Sequence, residues 1–512
     1  MSDDPPPRTS IDSWRVALGV IIAGAIIRLI FAATIPVFPD EAYYWEWSRH
    51  LATGYFDHPP AIAFVIWIGR VLLEPIGASA TPLAVRLGAV LAGFVASLAT
   101  IATARRLGDD RAALRAAGVI TCMPLAAAGL LIATPDAPLL AFTAIGFYTI
   151  TRALQSVPGS RDSLLWWVAT GVALGLAFWS KYTSILLPLG VALAVIARAE
   201  LRQRLREPGP YVACVVATIV FVPVLIWNSQ HEWVSFTYQI RHGLGVPAAW
   251  TATAALKREG DYIGGQAVLV SPILFVLLAL AVWRSLRRSA PPAQFVLGAV
   301  ATLTFGLFAY SALRQRVEPN WPAPGYIAAI VLLAGTTWRE RGRTWLHWGV
   351  RLAAVLSLVI YIQGVVPILP LEPRKDPVAR AFGWRELSDQ VQSAMRLATT
   401  ETGSRTWAGA DRYQEAAELG FHDETHAPTF AVNLGGRRNQ YEVWPRFADL
   451  AARGDNLVLV LDETPTAHPA LAALTPHFSA TQQGALVSLR RAGGEIGKRR
   501  IWILRGWQGG WP

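Results

Sequence analysis

The sequence predicts an α-helical polytopic membrane protein with a small α/β domain at its C-terminal end. Three observations carry that expectation. Apolar runs of membrane-spanning length recur from Trp14 to about Val366. Of the 512 residues 53% are hydrophobic and only 16% charged, with a mean hydropathy of +0.35, whereas a soluble chain carries about 25% charged residues. After about Leu371 charged residues become frequent, and Pro370, Pro373 and Pro377 mark a linker.

Taken in order, the runs start near Trp14, Leu83, Ala116, Ala137, Leu164, Ser184, Tyr211, Ala267, Phe295, Pro322 and Leu346, which gives about eleven spans of roughly 20 residues each. The first is too long, and lacks the small-residue cleavage pattern, for a cleavable signal peptide, so it reads as a transmembrane helix. Cys122 and Cys214 lie inside apolar runs, which argues against a disulfide framework or a Cys-based metal site. The net charge of +11 does not point to nucleic acid, because the basic residues are scattered between apolar runs. They instead set orientation. Arg105, Arg106, Arg111 and Arg115, then Arg152 and Arg161, the Arg198–Arg206 group, Arg284, Arg287 and Arg288, and the Arg339–Arg343 group occupy alternate loops, which places those loops in the cytoplasm.

An odd number of spans then carries everything after about Val366 to the opposite face. The Asp40 loop, the Thr134–Asp136 turn, the Ser180–Tyr182 turn, the Trp227–Gly264 loop and the Arg314–Trp321 loop emerge on that same face. The expected division is residues 1–370, transmembrane and catalytic, and residues 371–512, a small α/β domain. In the latter, 456–461, 485–489 and 501–505 read as strands, and 385–397 and 444–453 as helices. No internal repeat or transporter-like duplicated halves are visible.

Candidate chemistry begins at PDEAYYWEWSRHLATGYFDHPP, residues 39–60. Asp40 and Glu41 at the mouth of a membrane helix are costly unless water, a cation or a substrate compensates them. They suit the N-terminus of the next helix, and a carboxylate there also suits general-base work. Tyr44 belongs to the aromatic cluster that follows. Asp57 and His58 read either as an ordinary helix start with Pro59 and Pro60 or as a weak metal or phosphate pair. Asp136, between two prolines, reads either as a helix cap or as a second carboxylate of the same site. Lys181 is the only lysine among the spans, placed to snorkel or to meet a phosphate, with Tyr182 beside it. Arg314 and Arg316 run against the positive-inside trend, which suits anion binding, and Asn320, Trp321 and Tyr326 follow as site-lining or interface residues. His231, Trp233, Arg241 and His242 receive no clear role.

Taken together, DEAYYW, GYFDHPP, TPDAPL, WSKYT, PVLIWN and the R-x-R-x-x-x-NWPAPGY stretch, in this order, resemble bacterial members of the protein-mannosyltransferase-like superfamily of GT-C glycosyltransferases. That superfamily includes the lipid A aminoarabinose transferase and galacturonosyltransferases. GWREL, RYQEAAELGFH and NQYEVW look like the small periplasmic domain of one bacterial subgroup. The resemblance implies an inverting transfer on the periplasmic face of the bacterial inner membrane, from a polyprenyl-phosphate sugar to a lipid, glycan or protein acceptor in envelope glycan or lipid A modification. Asp40 sits at the family's first-loop catalytic acid and Asp136 at its second. Asp57-His58 stands where the aminoarabinose enzymes carry Glu-Lys, and Arg314 and Arg316 stand at a basic pair facing the lipid phosphate.

The resulting reading gives Asp40, Glu41 and Asp136 catalytic roles. His58, Lys181, Arg314 and Arg316 hold the donor phosphate, and Tyr44, Asp57, Tyr182, Asn320 and Trp321 line the substrate. Membrane lipids are partners and nucleic acid is not. No cofactor is assigned, and a divalent metal stays open, with Asp57 and His58 as its weak candidates. The departures from the aminoarabinose pattern, His58 for Lys and no Arg after the acids, leave the donor sugar unassigned. A polyprenyl-linked glycan flippase and an O-antigen ligase-like enzyme are the rival readings.

Overall fold

The computed structural model describes residues 12–244, 251–434, 436–463 and 468–512. They form two compact units. Among the described residues, the first comprises those up to Phe31, His58–Ala61 and those from Gly88 to Tyr361, and the second Ala32–Asp57, Ile62–Leu87 and those from Ile362 onward.

Seven of the described helices are long and apolar enough to cross a membrane: Ser13–Thr34, Pro82–Leu107, Asp136–Gln155, Arg161–Ser180, Gly209–Gln230, Pro292–Arg314 and Glu340–Val365. Counting each bent pair as one span raises the number to nine. The sequence-based count of eleven is corrected where runs are interrupted. Tyr182–Ala197 and Ala199–Arg206 bend by 106°, and Ala252–Val270 and Pro272–Ser285 by 100°. At the second bend Ser271 takes φ 75° before a proline that cannot donate to the helical ladder. The run near Ala116 breaks between Asp110–Cys122 and Pro124–Gly129, and Ala323–Gly335 has only 13 residues. The expected loop 227–264 is largely helical, through Val234–Leu244 and Ala252–Val270. Its residues 245–250 and the His242 side chain lie outside the described residues.

In the first unit, carbonyls on either side of the break at Pro124 take side-chain donors, where a membrane interior supplies no water. Arg28 Nε donates to the Ala126 carbonyl (3.2 Å), Ser357 Oγ to Cys122 (2.7 Å) and Tyr361 Oη to Ala127 (3.2 Å). Arg161–Ser180 and Gly209–Gln230 approach closely at Gly171 and Gly175. A Cβ on Gly171 would lie 2.5 Å from the Ala213 carbonyl oxygen, so glycine is required at that contact.

The second unit carries one five-stranded sheet, β1 (Thr406–Ala410), β2 (Thr429–Ala431), β3 (Asn456–Asp462), β4 (Phe478–Arg491) and β5 (Gly494–Trp507), in the order β2-β1-β3-β5-β4. β1 is parallel to β2 and β3, and β5 is antiparallel to β3 and β4. Ala492 and Gly493 turn the β4–β5 hairpin with φ of 47° and 81°, as a two-residue turn with both φ positive requires. Trp407, Phe430, Phe447, Leu459 and Trp507 form the centre of its core. The helix expected at 385–397 is Trp384–Thr402, whereas the one expected at 444–453 shrinks to Phe447–Leu450. The helix Tyr413–His422 and strands β1 and β2 were not anticipated.

Candidate active site

Within the second unit, Pro39 opens the Pro39–Arg49 helix, its missing N–H costing nothing in the first turn. Asp40 and Glu41 follow, where the helix N-terminus favours negative charge. Their surroundings differ. Glu41 is wholly buried and accepts from the Phe38 amide (3.0 Å). Arg86, equally buried, grips it with both ends of its fork, Nε to Oε1 at 2.8 Å and Nη2 to Oε2 at 2.5 Å. The same guanidinium donates to the carbonyls of Ala32 (3.3 Å), Ile35 (2.6 Å) and Pro36 (2.8 Å), so Arg86 ties the end of one helix to the start of the next. The Asp40 side chain is 45% exposed, takes a hydrogen bond from Gln414 Nε2 (2.9 Å) and lies 3.9 Å from the guanidinium of Arg380.

Asp57 is buried beside this helix. Tyr43 Oη donates to its Oδ2 at 2.5 Å, and Arg437 is ion-paired with Oδ1. Burial raises the Asp57 carboxyl above its ordinary value, against the pull of Arg437 and Tyr43. Tyr43 in turn accepts from the Gln440 amide (2.7 Å), whose side-chain oxygen receives the Phe56 amide (2.7 Å). Tyr44 packs edge-on against Trp47, 5.0 Å between ring centres.

Glu418, on Tyr413–His422, is fully buried with no hydrogen bond to either carboxylate oxygen; His422 Nε2 stands 3.5 Å away. Burial pushes Glu418 well above the usual glutamate range, with Glu41 and Asp40 adding to the shift and Arg86 opposing it. Burial and Arg385 bring His422 down to about 4.

In the first unit, Asp136 is the first residue of its helix and, buried together with Lys181, the centre of a triad. Lys181 Nζ donates to Oδ1 at 2.7 Å and Asn320 Nδ2 to Oδ2 at 2.5 Å. Tyr182 Oη meets Ser235 Oγ at 2.9 Å, receives Asn228 Nδ2 at 3.3 Å and stacks on Phe236. Tyr326 is buried and donates to Gln266 Oε1 (3.0 Å). His58 Nδ1 lies 3.2 Å from Gln239 Nε2. Trp321 packs against Phe308. Arg314 reaches the Tyr310 hydroxyl (3.0 Å), and Arg316, 83% exposed, reaches Glu318 (3.3 Å).

The structure therefore joins Asp136, Lys181 and Asn320, which the sequence named separately, while in the described contacts Arg314 and Arg316 turn to their own neighbours. Among the described residues no group of three or more His, Cys, Asp and Glu side chains is arranged for a metal ion. Both oxygens of Asp57 are already engaged. Sequence reasoning missed Arg86, Arg437, Gln414 and Arg380. Arg86 carried a readable signal, a charge inside an apolar run that demands a buried partner.

Residues 57–227 match the family described as dolichyl-phosphate-mannose-protein mannosyltransferase. The lipid A galacturonosyltransferase RgtD of Rhizobium johnstonii is 28% identical over 385 residues, 73% of this chain and 76% of that one. The lipopolysaccharide core galacturonosyltransferase RgtA of the same organism is 26% identical over 55% of this chain and 53% of its own length. ArnT from Cupriavidus metallidurans bound to undecaprenyl phosphate superposes with a TM-score of 0.65, 16% identity, and coverage of 96% of this chain and 98% of that one. An archaeal oligosaccharyltransferase, AglB from Archaeoglobus fulgidus, matches with a TM-score of 0.51 at 12% identity over 88% of this chain and 70% of its own. With its apolar helices and terminal sheet, the chain is a multi-pass membrane glycosyltransferase with the GT-C fold, similar over residues 57–227 to the protein-mannosyltransferase family.

Proposed function

We propose that the protein transfers a sugar from a polyprenyl-phosphate donor to a lipid acceptor, in lipid A or lipopolysaccharide modification, on the periplasmic face of the bacterial inner membrane. Residues 1–370 would carry the transmembrane catalytic part and residues 371–512 the periplasmic domain. The names of the galacturonosyltransferase relatives support the acceptor class, and the undecaprenyl phosphate bound to ArnT supports the donor class. The arginine asymmetry between loops supports the orientation.

The observation that carries the catalytic assignment is the accessibility of Asp40, a carboxylate held by Gln414 yet 45% exposed. In the proposed reaction Asp40 accepts the proton of the acceptor hydroxyl as its oxygen bonds to the anomeric carbon. The bond from that carbon to the donor phosphate breaks with inversion, and polyprenyl phosphate leaves with the electron pair. Glu41, sealed against Arg86, positions Asp40 rather than accepting the proton. Asp136, Lys181 and Asn320 act as one group, Lys181 supplying positive charge to the departing phosphate and Asp136 holding it in place. His58, Arg314 and Arg316 contribute charge to the same donor phosphate, and Tyr44, Asp57, Tyr182 and Trp321 shape the substrate surroundings.

Asp40→Asn keeps the Gln414 contact and removes the base. In purified protein reconstituted with donor and acceptor glycolipid, it should lower transfer about 10²-fold or more, while thermal unfolding stays close to wild type. Near-normal transfer by this variant would remove Asp40 from the chemistry.

A further inference from the structure

A cavity of about 240 Å³ opens within the second unit beside Asp40. Pro39, Arg380 and Gln414 line it, and the last two are the residues that face the Asp40 carboxylate. Four arginines reach the cavity, Arg374, Arg380, Arg412 and Arg499, against one lining acid, Glu415. Their states differ. Arg499 is nearly buried and is spent on Glu415 (2.9 Å) and Asp462 (2.8 Å), so it belongs to the wall. Arg374 and Arg412 each keep one acidic partner, Glu495 at 3.1 Å and Asp462 at 2.6 Å, with more than half of each side chain exposed. Arg380 is 63% exposed, and its contact to Asp40 at 3.9 Å is too long for a hydrogen bond. Its donors are the ones available to a ligand.

Phe382 and Trp384 provide an apolar surface between these charges. Trp384 Nε1 donates to the Arg380 carbonyl (2.8 Å), which fixes the segment that presents Arg380. Gly383 turns between the two aromatics with φ 87°, and a Cβ there would lie 2.9 Å from that of Leu489, so the turn requires glycine. Two sequence motifs thereby find a use. GWREL supplies Trp384, and RYQEAAELGFH supplies Arg412, Gln414 and Glu415.

We propose that this cavity is the subsite for an anionic sugar headgroup of the acceptor, one bearing a phosphate or a carboxylate. The proposal rests on the reading that Asp40 serves the acceptor hydroxyl. Guanidiniums pair bidentately with such oxyanions, and Gln414 and Arg380 link the bound headgroup to the carboxylate that takes its proton.

The test uses the full-length protein in phosphatidylcholine nanodiscs, with phosphorylated lipid A, its enzymatically dephosphorylated form and inorganic phosphate as probes. Phosphorylated lipid A should bind about tenfold or more tightly than the dephosphorylated form, the scale of one good charged contact, and inorganic phosphate should compete with it. Arg380→Gln should abolish most of that preference and raise the acceptor KM at little changed kcat and donor KM. Arg412→Gln should act in the same direction, and because Arg380→Gln breaks only a 3.9 Å contact, its fold survives even where the Arg412 variant's does not. Equal affinity for the two lipids, or unchanged preference and acceptor KM in Arg380→Gln, overturns the subsite. If Asp40→Asn retains transfer while Arg380→Gln loses the phosphate preference, the catalytic reading fails and the binding site stands.

Discussion

Replacing Arg86 by Met is predicted to be among the most destabilising single changes in the second unit. The substitution preserves apolar bulk but removes two hydrogen bonds to Glu41 and three to the carbonyls of Ala32, Ile35 and Pro36. Removing one member of a buried ion pair leaves the other charge uncompensated, at about 3–5 kcal/mol. Each carbonyl left without water adds about 1 kcal/mol. At about 2–4 °C per kcal/mol for a unit of this size, the unfolding midpoint should fall by roughly 20 °C. Glu41→Gln keeps the amide oxygen for Arg86 and loses the charge, so it should cost less than Arg86→Met. In the double variant the lost charge no longer stands alone, and the two effects should fall short of additive by about 1–3 kcal/mol. Tryptophan fluorescence during heating in detergent measures all four proteins. Transfer should fall in Arg86→Met as well, because Asp40 precedes the residue that Arg86 holds. An Arg86→Met protein with the wild-type midpoint, or strictly additive single changes, would refute the assignment of Glu41 and Arg86 as the clamp of this turn.

Three further outcomes follow from the contacts. Glu418 is driven upward from the ordinary glutamate value of 4.5, so its folded form holds a proton that the unfolded chain releases; stability is retained below 4.5 and is lost as the pH rises through the folded-state value. Midpoints of wild type and Glu418→Gln should therefore converge at acid pH and separate in favour of the glutamine variant at alkaline pH, and parallel curves would contradict this. Lys181→Met should orphan Asp136, weakening donor binding and lowering the unfolding midpoint, whereas Lys181→Met with Asp136→Asn should recover the midpoint without the donor affinity; recovery of both would strip Lys181 of its phosphate role. In a protein with Cys122 and Cys214 changed to Ser, a cysteine at exposed Gln483 should react with an impermeant thiol reagent applied from the periplasm and one at exposed Gln203 should not; the reverse pattern inverts the proposed orientation.

The apolar runs were legible because membrane spanning is a property of local composition. The count failed where a run of the right composition was broken by geometry. Ser271-Pro272 and Met123-Pro124 interrupt hydrogen bonding without interrupting hydrophobicity. In the C-terminal part, NLVLVL announced β3 because that strand is buried along most of its length. β1 is TWAGA, five residues with no strong pattern, and it exists as a strand because β2 and β3 flank it. β4 and β5 extend well beyond their apolar centres because hairpin pairing, rather than burial, continues them.

The site divides along the same line. Asp40, Asp136 and Lys181 stood out because a charge at a membrane edge needs a reason. Their partners lay far along the chain, Lys181 at 45 residues from Asp136, Asn320 at 184 and Gln414 at 374 from Asp40, distances over which sequence pattern carries no pairing information.

The adjacent acids show what separates a structural carboxylate from an available one. Successive positions on a helix point about 100° apart, so Asp40 and Glu41 address different surroundings from the same turn. Glu41 reaches back to the Phe38 amide and into Arg86, and its charge is consumed in setting the entry of the helix. Asp40 faces Gln414 and the loosely held Arg380, two residues that also line the arginine-rich cavity, and its side chain stays 45% exposed. A pair of carboxylates can thus take two roles through environment alone. The sealed acid steadies the exposed one: with the backbone of the turn fixed by Arg86, Asp40 would, in the proposed reaction, meet an acceptor hydroxyl in one orientation rather than many, which is the condition under which a single positioned base contributes to rate.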